Sequence, residues 1–372
     1  MANKGEWGEP YAALRILGDG KLYIADKDGQ KNPNEWMSVL DLIRHEAVDR
    51  VVTYHVKELG DVSIEISVND HFKTSINSLR FMMMADRLSS EIVSGRGRSF
   101  EVSDEIMEFL NEIEMLHIKA KSIDKSDLFL SICDPRASII REHIGFSIKS
   151  EFGQNPTLFN TAKASAVVYK VEGMNDELMN SINSLVDDKG HAAVSERCSM
   201  LIENGCQLDF VGFPYAQRAG CEAFKENLDL IDPRLADVVE RMLWNHFFEH
   251  FPKNDLSDVT KYLVETNPCN LTRPEIKYPY MIKSFLYAAY CGMTASTLWN
   301  GESQVNGGFI KVSAEGEVLA HYALESDAFK SYLYDNCYLE YPSTDEGHGN
   351  YAKVYKEGEE YFFRLNFQIR YR

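Results

Sequence analysis

Between Ser131 and Lys163 the chain reads SICDPRASIIREHIGFSIKSEFGQNPTLFNTAK, and the order of residues there leaves few choices for what it can form. Phe146 and Ile148 alternate with Ser147 and Lys149 over residues 145–150. A period of two with bulky apolar residues on one side is the pattern of a half-buried strand, so Ser147 and Lys149 share a face. Upstream, an apolar run over residues 128–133 reaches Asp134 and then Pro135. Proline has no N–H to give to a sheet ladder, so that strand is expected to stop with Asp134 at its end. Downstream, Asn155-Pro156-Thr157 followed by Leu158, Phe159 and Ala162 has the form of a turn and a helix start. An aspartate at a strand end, a lysine on the next strand and a helix behind them form a known catalytic arrangement.

The rest of the chain bounds what surrounds this stretch. Its 372 residues, 44% hydrophobic and 26% charged, suffice for two or three packed units of a soluble globular protein. No apolar run approaches the roughly 20 residues of a membrane helix, and residues 1–20 lack a signal-peptide core, so no membrane association and a cytoplasmic location are expected. Seven cysteines without a C-x-x-C pair suggest reduced thiols, mostly in the core, rather than a disulfide framework or a zinc ribbon. The net charge of -18 opposes nucleic-acid binding unless basic residues are gathered locally. Lys119, Lys121 and Lys125, the Gly95-Arg96-Gly97-Arg98 loop, and Arg364, Arg370 and Arg372 are the available clusters.

Taken in order, residues 11–17 have helical spacing, Gly18-Asp19-Gly20 is a turn, and residues 21–25 read as a strand. Residues 33–125 read as an inserted, mainly helical subdomain: a strand pair near 51–55 and 63–68, then helices over 75–92 and from Ser103 onward. With the strand predicted at 166–171, the core over 1–174 has the order helix, three strands, helix, strand. Residues 175–372 are expected to form a helical and then β-hairpin region, suited to DNA recognition. Its hairpins are 308–312 with 318–322, and 351–355 with 361–371. In the last strand Phe363, Leu365, Phe367, Ile369 and Tyr371 alternate with Arg364, Asn366, Gln368 and Arg370, giving one buried face and one row of donors.

Asp134 followed by Ser147-Ile148-Lys149 resembles a PD-(D/E)XK nuclease core in which Ser147 replaces the usual second acid. More closely, GFSIKSEFG with TLFN, NKGEWGE at Asn3 to Glu9, GMTASTLWNGES at Gly292 to Ser303, and FFRLNFQIRY near the end resemble the HpaII restriction endonuclease family. These blocks run from residue 3 to residue 371. The resemblance implies an α/β restriction-endonuclease-like core and a type II enzyme that cuts double-stranded DNA with Mg²⁺ at a short palindrome. The target it implies is CCGG, cut after the first C, in host defence against foreign DNA. It also implies a companion DNA cytosine methyltransferase of the same specificity, and it allows for a homodimer.

Phosphodiester hydrolysis needs a cation to stabilise charge on the phosphate and a positioned water. On this reading Asp134 and the Ile148 carbonyl hold the metal, and Lys149 orients the water. Ser147 is a poor ligand for a hard cation, so a second acid is needed. Glu9 is favoured over Glu6 and over Glu151, although Pro10 places Glu9 near the start of its helix. Arg136, Arg141, Asn155, Lys163, Arg364 and Arg370 are the expected DNA contacts. A catalytically silent DNA-binding protein with the same fold is the alternative. A more distant one is a zinc metallopeptidase, because His246-Phe247-Phe248-Glu249-His250 matches H-x-x-E-H.

Overall fold

Asn3 starts the first helix, α1 (Lys4–Asp19): its side chain accepts from the Glu6 N–H while the Glu6 carboxylate accepts from the Asn3 N–H, each at 2.9 Å. This capping box, rather than Pro10, sets the N-terminus, so Glu9 lies inside the helix and Pro10 within its body. Gly20 ends it in the left-handed region at φ 61°. The coordinates are a computed structural model that describes all residues except 27–28, 58–61, 98, 121–125, 136–137, 154–156, 161–162, 188–192, 219–220, 303–305, 323–325 and 341–350. The chain divides into two units, Met1–Pro156 with Ser303–Tyr332, and Thr157–Glu302 with Leu333–Arg372.

In the first unit α1 is followed by β1 (Lys21–Ala25), β2 (Lys31–Ala47), β3 (Arg50–Lys57), β4 (Ser63–Val68), β5 (His71–Asn77), α2 (Ser78–Ser94), α3 (Asp104–Glu112), β6 (Leu128–Asp134) and β7 (Ile139–Ser150). The later hairpin of β13 (Gly308–Val312) and β14 (Val318–Tyr322) returns to it. All these strands join one sheet in the order β1-β14-β13-β7-β6-β2-β3-β4-β5, and β1 also pairs with β2. At its centre β2 pairs antiparallel with β6 and β6 with β7, and β13 lies parallel beside β7. Phe146 and Ile148 of β7 join α1, α2 and α3 in one apolar core, which also holds Leu42, Val52, Ile66, Ile310 and Val312.

α1 is buried along most of its length because two glycines let its neighbours come close. A Cβ on Gly8 would lie 2.4 Å from Ser150 Cβ of β7, and one on Gly18 would lie 2.9 Å from the Met82 backbone N of α2. Residues 33–125 are therefore not an inserted helical subdomain. Their strands extend the central sheet and their helices cover it, because the buried side chains of β2 to β5 and of α2 and α3 contribute to the same core.

The second unit holds β8 (Thr157–Phe159), β9 (Ala166–Glu172), α4 (Asp176–Ser184), α5 (Val194–Glu203), β10 (Gln207–Gly212), β11 (Gln217–Arg218) and β12 (Cys221–Glu222). It continues with α6 (Ala223–Ile231), α7 (Leu235–Phe247), α8 (Leu256–Thr266) and α9 (Pro274–Tyr290). After α10 (Ser326–Asn336), whose residues up to Tyr332 belong to the first unit, it ends with β15 (Cys337–Leu339), β16 (Val354–Glu357), β17 (Glu360–Asn366) and β18 (Ile369–Tyr371). Its sheets have the orders β10-β9-β17-β16 and β15-β18-β8.

Three expectations change here. The helix expected after Pro156 is a strand, β8, with a short 3-10 turn over Lys163–Ser165; Ala162 lies outside the described residues. Strand β9 belongs to the second unit, so β13 rather than β9 takes the place beside β7, and the boundary expected at 174/175 falls instead at 156/157. The terminal strand is broken between β17 and β18, where the Phe367 N–H bonds to the Ser165 carbonyl at 3.3 Å. Asn366 and Gln368 are buried together with the alternating apolar residues, so that segment is not a row of exposed donors. No helix among the described residues is long and apolar enough to cross a membrane.

Candidate active site

An antiparallel hairpin sets which residues can meet. Because β6 and β7 run in opposite directions, the end of β7 that carries Lys149 lies beside the beginning of β6, where Leu128 pairs with Phe146. The residue just before that beginning is Asp127. Its N–H donates to the Phe146 carbonyl at 2.8 Å, and its Oδ2 accepts from the Ile148 N–H at 2.6 Å and from Ser147 Oγ at 3.2 Å. Lys149 Nζ donates to Ser147 Oγ at 2.8 Å, so one hydroxyl links the acid and the amine. Gly145 allows the close approach: a Cβ there would lie 2.2 Å from Ser126 Oγ.

Glu9 joins this group from α1. It is buried, and its Oε2 accepts from the Ala120 N–H at 3.2 Å. Burial, and then the negative charge of Asp127, push its pKa up to about 7, against the opposing charges of Arg44 and Lys119. Burial lowers the pKa of Lys149, while Asp127 and Glu9 act to raise it and Lys119 lowers it further. Two carboxylates and an amine thus lie within electrostatic reach of one another, as does Lys119.

The segment carrying Lys119 and Ala120 is held from beneath by a buried ion pair. Arg44 Nε donates to Glu46 Oε1 at 2.7 Å, and its NH2 group donates to the carbonyls of His117 at 2.5 Å and Ile118 at 2.9 Å. Glu46 Oε2 accepts from the His117 N–H at 2.8 Å.

Asp134 is not part of this cluster. It pairs with Ile139 at the turn of the hairpin, the far end of β6 from Asp127, and so cannot stand beside Lys149. Glu151 is held by Lys311 of β13, Nζ to Oε1 2.8 Å, which leaves Glu9 as the acid that faces Asp127. Among the expected DNA contacts, Arg136 and Asn155 lie outside the described residues. Arg141 pairs with Ile132 in the turn half of β7. Lys163, Arg364 and Arg370 belong to the second unit, where the Arg364 guanidinium lies 5.5 Å from the Tyr215 and Tyr355 rings and 5.7 Å from the Tyr351 ring. Arg370 is ion-paired with Glu340 at 2.5 Å.

The H-x-x-E-H string does not make a metal site. Helix α7 ends at Phe247, which takes His250 off the helix. His246 Nδ1 lies 3.1 Å from the Phe251 carbonyl, His250 Nε2 lies 2.9 Å from Ser199 Oγ, and Glu249 accepts from the Tyr262 hydroxyl at 3.0 Å. Among the described residues no group of three or more His, Cys, Asp or Glu side chains is gathered for a metal.

The profile of the HpaII restriction endonucleases matches residues 3–371. The chain belongs to that family. It is 30% identical to the type II restriction enzyme HpaII of Haemophilus parainfluenzae over 372 residues, which is 99% of this chain and 98% of that one. Membership places it among the type II restriction endonucleases. No solved structure matches the chain. Sequence reasoning missed Asp127 as the partner of Lys149, and the signal that could have found it was present. Pro135 marks a turn between two adjacent strands, and in the resulting hairpin the acid beside Lys149 must precede the first strand.

Proposed function

We propose that the chain is a divalent-metal-dependent endonuclease of the PD-(D/E)XK kind, acting on duplex DNA in defence against foreign DNA. The observation that carries this reading is the convergence of Glu9, Asp127, Ser147 and Lys149 at the adjoining ends of β6 and β7, with α1 behind them. The residues fit a hard cation such as Mg²⁺. Burial, and then the charge of Asp127, raise the pKa of Glu9, a strain that a cation held between the two carboxylates would relieve, and Mg²⁺ is commonly held by one or two carboxylates with water in its other positions. Glu9, Asp127 and the Ile148 carbonyl are the groups that would hold it, with Asp127 in the role first expected of Asp134. When bound, the cation supplies charge neutralisation on the phosphate undergoing attack.

The chain's own groups account for the rest. Lys149, depressed in pKa by burial, orients the attacking water and can take its proton more readily than an exposed lysine could. Ser147 has no carboxylate to offer and acts through its hydroxyl, which fixes the Lys149 amino group relative to Asp127. The Ile148 N–H holds Asp127 from the other side. On the same reading the target is CCGG, cut after the first C, with a cytosine methyltransferase of the same specificity protecting the host; the likeness to the HpaII enzyme supports this target.

Digestion of a plasmid containing CCGG sites, in Mg²⁺ and in EDTA, with the cut ends sequenced, tests the reading. Cutting at CCGG in Mg²⁺ alone is expected, abolished by Asp127→Ala and retained by Asp134→Ala. Specific DNA binding without cutting in the wild-type protein would favour the catalytically silent alternative. Loss of cutting in Asp134→Ala with retention in Asp127→Ala would overturn the site.

A further inference from the structure

Sheet register places a second lysine beside Lys149. Strand β13 runs parallel to β7 and pairs Lys311 with Lys149, two residues on from Phe309 with Ser147. Paired residues on neighbouring strands, about 4.8 Å apart, project to the same face. Lys311 therefore stands next to Lys149 on the side turned away from the apolar core to which Phe146, Ile148, Ile310 and Val312 contribute. Glu151, two positions beyond Lys149 and on that same side, lies 2.8 Å from Lys311 Nζ, and the two side chains are 22% and 20% exposed. Phe309, two residues earlier on the same face, is buried against Phe329 and Tyr332 of α10, so exposure on that face begins at the Lys311–Glu151 pair. Burial acts to lower the pKa of Lys311, but the bonds to Glu151 and Tyr332 outweigh it and the net shift is upward. Two adjacent lysines thus differ in character. Burial lowers the pKa of Lys149, whereas the contacts of Lys311 raise its own.

We propose that Lys311 is a phosphate-binding subsite, whose ammonium holds the phosphodiester adjacent to the one on which Glu9, Asp127 and Lys149 act, with Glu151 setting its direction. The proposal rests on the nuclease reading. A nucleic-acid strand laid across β7 and β13 would present successive phosphates to successive strands of the sheet. Lysine's flexible four-carbon stem lets the second ammonium reach beyond the strand spacing to the next phosphate. A lysine binds phosphate as a point charge, so this contact adds affinity and alignment without reading sequence.

The test pairs Lys311→Met with cognate duplexes in which one linkage flanking the scissile phosphate, on either side in turn, is an uncharged methylphosphonate. On unmodified DNA the variant should lose about tenfold in kcat/KM, the equivalent of one charge-assisted contact. Its log-log salt slope for binding should fall by about one. At one flanking position the methylphosphonate should cost the wild-type enzyme a similar factor, and Lys311→Met should then lose nothing more. An equal loss on every duplex at an unchanged salt slope would overturn the proposal and leave Lys311 as a structural ion pair. Lys311→Gln replaces Lys311→Met if melting curves show that the methionine variant is unfolded. A wild-type enzyme that cuts none of the duplexes would instead sink the nuclease reading.

Discussion

A carboxyl group buried beside another carboxylate favours its proton, and Glu9 is in that position. Its pKa of about 7 in the folded chain lies above the ordinary 4.5, so folding favours the protonated form. The stability this contributes is complete below about pH 4.5 and is lost as pH rises through about 7. Glu9→Gln keeps an oxygen for the Ala120 N–H and removes the titration. In EDTA the variant and the wild type should be equally stable near pH 4, and the variant should be more stable by roughly 3 kcal/mol near pH 8. Urea unfolding across that range measures the difference, and parallel curves would contradict the placement of Glu9. Mg²⁺ favours the ionised form, so it should raise the melting temperature of the wild type at pH 8 more than that of Glu9→Gln.

At the scale of elements, the site depends on how closely α1 lies against β7. Gly8 and Ser150 face each other with no room for a methyl group, since a Cβ on Gly8 would meet Ser150 Cβ at 2.4 Å and Oγ at 2.5 Å. Gly8→Ala should push the helix from the strand, costing about 1–3 kcal/mol in stability, and should lower cleavage because Glu9 moves with the helix. Ser150→Gly removes both obstructing atoms and leaves the Ser150 Cα at 3.8 Å, an ordinary contact. The double variant should therefore recover most of the lost stability and activity, beyond the small cost of a glycine in a strand. Strictly additive losses in denaturant and cleavage measurements would show that this contact does not set the position of α1. The same close approach explains why NKGEWGE reads as a block: Asn3 and Glu6 cap the helix, Gly8 lets it approach, and Glu9 is brought to Asp127.

For the whole molecule, a net charge of -18 means that DNA binding must come from local clusters and specific contacts. Lys119 and Lys149 supply positive charge at the candidate site within the first unit, and Arg364 and Arg370 of the second unit have partners of their own. Specificity for CCGG would then rest on close fits in the major groove, where the 5-methyl group of a modified cytosine projects. Methylation of the inner cytosine on both strands should block cleavage. Equal cutting rates on methylated and unmodified duplexes of the same sequence would contradict the CCGG assignment.

Local patterns were legible in the sequence wherever one residue's chemistry decides a turn or a face. Strand β1, the hairpin of β13 and β14, the β16–β17 turn and the face shared by Ser147 and Lys149 all follow from period, glycine placement and residue type, whereas the candidacy of Glu9 came from the family resemblance. Family membership was readable from blocks spread over the chain. What only the tertiary structure decided was which of these pieces meet. Asp127 rather than Asp134 faces Lys149 because antiparallel pairing brings the start of one strand to the end of the next. β13 joins the first unit and β9 the second, although β9 is far nearer to β7 in sequence. Periodicity within a strand states which side is apolar, but it carries no record of the neighbouring strand. That choice is made by burial of a common core and by ladder hydrogen bonds between residues well over a hundred positions apart.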